Sequence, residues 1–147
     1  MRVVFSVFAA CLLSFAANNK IDIPYKNAVT QNAKDGKPIL LEFYANWCIP
    51  CLEMEKTVFK NPAVVKELRT NFHFVRINAD DIEQELFCEG ESLPVLECMM
   101  LWDVEGIPAF AILNKEGKTS HIARGQYEAA EFLNFLKAVK KGSRKER

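Results

Sequence analysis

The chain has 147 residues, of which 50% are hydrophobic and 26% charged, with 19 basic and 19 acidic side chains. That length suits one compact domain with a buried core, and the composition excludes a disordered or low-complexity chain. A formal net charge of zero excludes a strongly basic nucleic-acid binder and gives no reason to expect an anionic membrane partner.

Arg2 is the only charge before Lys20, and positions 3–17 are apolar apart from Ser6 and Ser14. A short positive start, an apolar run and small residues at Ala16 and Ala17 read as a secretory signal peptide over 1–17. The expected product is a mature domain of residues 18–147, periplasmic or secreted. An uncleaved membrane anchor is the alternative, but the uncharged run barely reaches the ~20 residues that span a bilayer. Cleavage removes Cys11 and leaves Cys48, Cys51, Cys88 and Cys98, an even number in a compartment that tolerates disulfides.

Tyr25 to Asp35 reads as a helix closed by the turn residues Asp35-Gly36-Lys37-Pro38. Ile39 to Tyr44 is a short apolar run bounded by a turn, as in a buried parallel strand. A helix should open at Cys48 and run toward Asn61-Pro62, where proline kinks or breaks it before Ala63 to Arg69. Phe72 to Asn78 is a second strand. Ala109 to Leu113 and Ser120 to Arg124 flank a turn at 114–117 and form a hairpin. Ala129, Phe132, Leu133, Leu136 and Val139 then share one face of a last helix. The order predicts an α/β fold, a central mixed sheet with helices on both faces.

Between Arg76 and Lys115 there is no basic residue, yet nine of the 19 acids fall there: Asp80, Asp81, Glu83, Glu85, Glu89, Glu91, Glu97, Asp103 and Glu105. Residues 76–107 therefore form an acidic segment, which either selects a basic-patched partner or is merely solvated. Cys88 and Cys98 within it span a turn at Gly90 and a short helix starting at Pro94. A local structural disulfide is feasible there, with a second redox relay or two free thiols as alternatives. Leu93, Leu96, Met99, Met100, Leu101 and Trp102 are expected, for the most part, to pack that helix. The basic tail at 141–147 suits a frayed helix end, where positive charge favours the dipole; nucleic-acid binding is not expected.

Trp47-Cys48-Ile49-Pro50-Cys51 follows a buried strand and opens a helix. Free N–H groups and the helix dipole favour a thiolate at Cys48, whose ordinary pKa of about 8.5 leaves only roughly 3% ionised at pH 7. Two intervening residues let Cys51 resolve a mixed disulfide, and Pro50 is tolerated in the first turn. A zinc site would need two more ligands at short spacing, and neither His73 nor His121 lies near another cysteine, so no metal or other cofactor is expected.

This block resembles the thioredoxin superfamily. The run from Cys51-Leu52-Glu53-Met54-Glu55 through Phe59, Pro62 and Val64 is most similar to the C-terminal periplasmic domain of thiol:disulfide interchange proteins of the DsbD type and its free-standing relatives. The resemblance covers roughly 37–137. It implies that Cys48 is the solvent-facing attacking cysteine and Cys51 its buried resolving partner. It also implies that Ile107-Pro108 is a cis-proline site facing the disulfide, where backbone pairs with substrate. Trp47, Ile49, Pro50 and Ile107 are the expected substrate-binding residues.

Glu42 falls where the family often has a buried acid, commonly aspartate. Unpaired in its apolar setting, it would have a raised pKa and could take the proton from Cys51; a solvated or purely structural Glu42 is the alternative. No histidine stands between the cysteines to stabilise a thiolate, which favours a reductant. Implied partners are disulfide-bearing envelope proteins, such as periplasmic isomerases or apocytochrome c, and a membrane or periplasmic thiol electron donor. The chain itself is expected to be monomeric. The alternatives are an oxidase or isomerase of the same fold, and a non-enzymatic thioredoxin-like binding module.

Overall fold

The computed structural model describes residues 20–114 and 116–145; the segment read as a signal peptide or anchor lies outside them, as does the end of the basic tail. Among the described residues no helix is long and apolar enough to cross a membrane. A four-stranded sheet runs in the order β2 (His73–Asn78), β1 (Ile39–Tyr44), β5 (Ala109–Leu113), β6 (Thr119–Arg124). β1 is parallel to β2 and antiparallel to β5, and β5 and β6 form the expected hairpin.

β1 explains its own apolar run, because both of its faces are covered. Ile39, Leu41 and Phe43 pack beneath α1 (Tyr25–Asp35) and α4 (Val95–Leu101). Leu40 faces the opposite side with Phe74, Phe110 and Ile112, under α2 (Ile49–Thr57), α3 (Pro62–Asn71) and α5 (Ala129–Lys145). Phe132 of α5 anchors that layer, its ring centroid 5.0 Å from Phe110 and 5.7 Å from Phe59. Phe132, Leu136 and Val139 supply the buried stripe of α5, with Ala129 and Leu133 at its border.

The helix that opens the cysteine motif is shorter than its sequence suggests. It ends at Thr57, and Cys48 is its cap rather than its first residue. α3 is a separate start: Asn61 is extended, its side-chain oxygen accepts from the N–H groups of Ala63 and Val64, and Pro62 takes the first helical position. Proline cannot donate back into the preceding turn and biases its predecessor away from helix, so the chain breaks here.

The acidic segment contains an element that the sequence pattern did not reveal, a hairpin of β3 (Glu85–Cys88) and β4 (Glu91–Pro94). Its turn, Glu89-Gly90, takes φ of 51° and 102°, the left-handed geometry of a two-residue hairpin turn. The hairpin is fastened on several sides. Cys88 and Cys98 are bonded, joining β3 to α4. Tyr25 accepts from the Phe87 N–H and donates to its carbonyl. The Glu89 carboxylate accepts from the Trp102 indole at 3.0 Å and from Thr119, which together hold its pKa below the usual range.

On α4, Val95, Cys98, Met99 and Trp102 are buried, whereas Leu96, Met100 and Leu101 are exposed by 60%, 72% and 59%. The expectation that Leu93, Leu96, Met99, Met100, Leu101 and Trp102 mostly pack this helix holds for Leu93, Met99 and Trp102 and fails for the other three. Seven residues make two turns, so only one face can meet the core, and the alternation puts residues 96, 100 and 101 outside. The double variant Cys88→Ser/Cys98→Ser should lose roughly 3 kcal/mol by the loop-closure model, read as a lower urea midpoint.

Candidate active site

Parallel pairing of β1 and β2 puts both strand ends on one edge of the sheet, and the cysteine motif emerges from that edge. Cys48 caps α2, and the Cys51 N–H donates to its Sγ at 3.3 Å. The same donor, together with the positive end of the α2 dipole, would favour a thiolate at Cys48 on reduction. Pro50 sits within that turn, where its missing donor costs no intrahelical bond.

Cys48 and Cys51 are bonded to each other, with 5.3 Å between their Cα atoms. Cys51 is fully buried and Cys48 keeps 3% of its surface exposed. The attacking position is thus far less open than the solvent-facing one that the resemblance implies. In the disulfide state the pair packs with Ala45, Tyr44 and Ile107, which cover it. Ile107 precedes a buried cis-Pro108, so the loop before β5 is brought against the cysteines. The Pro108 carbonyl accepts from the Gly125 N–H, pinning the loop to the end of β6.

Around the pair lies an apolar rim. Trp47 and Ile49 are 68% and 71% exposed, and the Trp47 indole donates to Asp80 Oδ2 at 2.8 Å. Asp80 was counted in the sequence only as one acid among nine. Its place two residues beyond the end of β2, on the same edge as the motif, is the signal that could have singled it out. Ile82 is also left almost wholly in solvent on this segment.

Glu42 is completely buried, but it is not unpaired, and that expectation is corrected. The β1–β2 register sets it directly opposite Arg76, whose Nε donates to Oε2 at 2.6 Å. Arg76 also bonds Glu55 at 3.2 Å and lies 4.2 Å over the Tyr44 ring. Burial pushes the Glu42 carboxyl up to about 7, and the Arg76 guanidinium only partly offsets it. For Arg76, burial works against the charge, but the pull of Glu42 and Glu55 outweighs it and raises the pKa. Oε1 of Glu42 has no hydrogen-bond partner, so one oxygen of a carboxyl poised near neutrality is free to carry a proton. A lone acid in an apolar run hid its cation in the next strand.

A thioredoxin-like domain model matches residues 25–140. The chain belongs to the thioredoxin-like domain family. It is 35% identical over 121 residues to the chloroplastic thioredoxin-like protein HCF164 of Oryza sativa subsp. japonica, covering 81% of this chain and 38% of that protein. It is 30% identical over 123 residues to the thiol:disulfide interchange protein DsbD of Vibrio vulnificus, covering 82% of this chain and 19% of that one. This thioredoxin-like chain therefore spans a minor part of the relatives it matches. The solved C-terminal domain of Neisseria meningitidis DsbD, in its reduced form, superposes with a TM-score of 0.57 at 23% identity. That superposition covers 77% of this chain and 91% of that domain, and shows a shared thioredoxin fold.

Proposed function

We propose that this chain is an exported thiol:disulfide oxidoreductase that reduces disulfides of envelope proteins. The observation that carries the chemistry is the Cys48–Cys51 pair at the start of α2, covered by the cis-Pro108 loop. Cys48 thiolate attacks one sulfur of a substrate disulfide, forming a mixed disulfide and expelling the other sulfur as a thiolate, which takes a proton from water. Cys51 gives its proton to Glu42 and attacks the Cys48 sulfur, which frees the second substrate thiol and closes the Cys48–Cys51 bond. Two electrons and two protons from a donor dithiol restore the pair. Trp47, Ile49, Pro50 and Ile107 supply the contact rim, and backbone before Pro108 pairs with the substrate chain.

Support for the reducing direction comes from the Ile49-Pro50 dipeptide, which contains no histidine to stabilise the Cys48 thiolate selectively. The apolar start of the chain supports export, and the printed name of DsbD, a thiol:disulfide interchange protein, supports a dithiol donor. Titration against glutathione buffers is expected to put the couple below about −200 mV; a value near about −120 mV would assign the chain to oxidation.

A further inference from the structure

The β3–β4 hairpin and α4 enclose a groove of about 650 Å3, a volume in the range of ligand sites, on the acidic segment. Its apolar lining is Leu93, Met100 and Leu101, and Glu91 and Glu97 stand on it as exposed acids. Met100 and Leu101 belong to the outward face of α4, where Leu96 is exposed beside them. Three large apolar side chains grouped on a two-turn helix are more than the scattered surface leucines of an ordinary monomer.

Charge selects the occupant. Among the described residues neither Glu91 nor Glu97 has a basic partner, and no basic residue occurs from 77 to 114. Glu89, the third acid lining the groove, is held in place by Trp102 and Thr119, so its charge is fixed there. An apolar floor beside carboxylates disfavours an anionic lipid surface or an acidic peptide. It matches a segment that presents leucine-like side chains on one side and lysine or arginine on the other.

Position ties the groove to the cysteines. Leu101 lies six residues before Ile107, and six extended residues reach at most about 21 Å. We infer that the groove between the β3–β4 hairpin and α4 docks a cationic amphipathic segment of the protein whose disulfide is exchanged at Cys48. The inference rests on the oxidoreductase reading for its purpose, but not for its binding step. Such docking raises the effective concentration of the substrate disulfide at the active site without any change in the exchange chemistry.

A direct test uses a cysteine-free 14-residue leucine/lysine peptide of helical period and its leucine/glutamate counterpart, both fluorescently labelled, with binding read by anisotropy. The lysine peptide should bind saturably and weaken with salt, and the glutamate peptide should not bind. Both Met100→Ser/Leu101→Ser and Glu91→Lys/Glu97→Lys should weaken binding about tenfold or more. These residues are exposed, so circular dichroism should match the parent. Affinity unchanged within twofold in either variant, or no binding by the parent, overturns the docking site. So does a concentration-dependent dimer, or adhesion to phosphatidylcholine vesicles, that either double variant abolishes.

In kinetics, a disulfide peptide joined to the leucine/lysine segment should have a higher kcat/KM than the bare disulfide peptide. The variants should erase that advantage and leave the bare rate unchanged. A parent that exchanges neither substrate refutes the catalytic reading, whereas the anisotropy result stands on its own.

Discussion

Cys48→Ser is expected to lower disulfide-exchange turnover by about 1,000-fold or more, because the attacking sulfur is removed and no other described thiol is exposed to replace it. Cys51 is fully buried behind it, and Cys88 and Cys98 are bonded to each other and buried. Cys51→Ser should lose turnover to a similar degree but in a distinguishable way. Attack by Cys48 still proceeds, so the mixed disulfide accumulates and is seen as a covalent adduct on non-reducing gels. Turnover that survives Cys48→Ser would remove Cys48 from the chemistry, whereas a parent chain that exchanges no disulfide would be a binding module. Adducts with Cys48→Ser but not with Cys51→Ser would reverse the two roles.

The largest expected effect on stability lies at Glu42 and Arg76. Arg76→Met leaves a carboxyl at zero exposure without its cation, which for a buried pair costs about 3–5 kcal/mol. The double variant Glu42→Leu/Arg76→Met should recover much of that loss, since apolar replacement of a whole buried pair is often neutral. Urea midpoints of the two proteins measure the difference, and equal midpoints would rule out the stranded carboxyl as the cause.

The pH dependence follows from the same geometry. The Glu42 carboxyl is raised from 4.5 to about 7, so between those values the folded state binds a proton that the unfolded chain has released. Its contribution is complete below about pH 4.5 and is lost as pH rises through about 7. The gap corresponds to roughly 3 kcal/mol at about 1.36 kcal/mol per pH unit. The Glu42→Gln profile should lack that fall, so the parent-minus-variant difference should display it between about pH 4.5 and 7. If the rate of Cys51 attack keeps its pH profile in the same variant, Glu42 is not the proton acceptor.

Where one element sees few partners, the sequence was a sound guide. The apolar run at β1 and the helical stripe of α5 are consequences of burial on two faces or on one, and periodicity records both. The cysteine motif was legible for the same reason, as a local grouping of strand end, turn and helix start. What escaped is non-local. The bond between Arg76 and Glu42 depends on the register of two strands 34 positions apart, and that between Trp47 and Asp80 on the parallel direction of the same pair. The β3–β4 hairpin escaped because strands of four residues, with apolar Phe87 on the exposed side, carry almost no period-two pattern, and a disulfide and Tyr25 hold them instead.

The stretch joining β2 to β5 touches the cysteine edge of the sheet twice, through Asp80 at its beginning and through Ile107-Pro108 at its end. Between these two points it is bonded to α1, β6 and itself, and its buried face, with Leu86, Val95, Met99 and Trp102, packs on Ile39, Leu41 and Phe43 of β1. It is two-sided: the buried side must stay as it is to cover the sheet, while the outward residues can change with both ends still framing the same chemistry. On the docking proposal above, grafting only the outward residues Glu91, Leu96, Glu97, Met100 and Leu101 onto another chain of this fold should transfer the peptide preference and leave the exchange rate of a bare disulfide peptide unchanged.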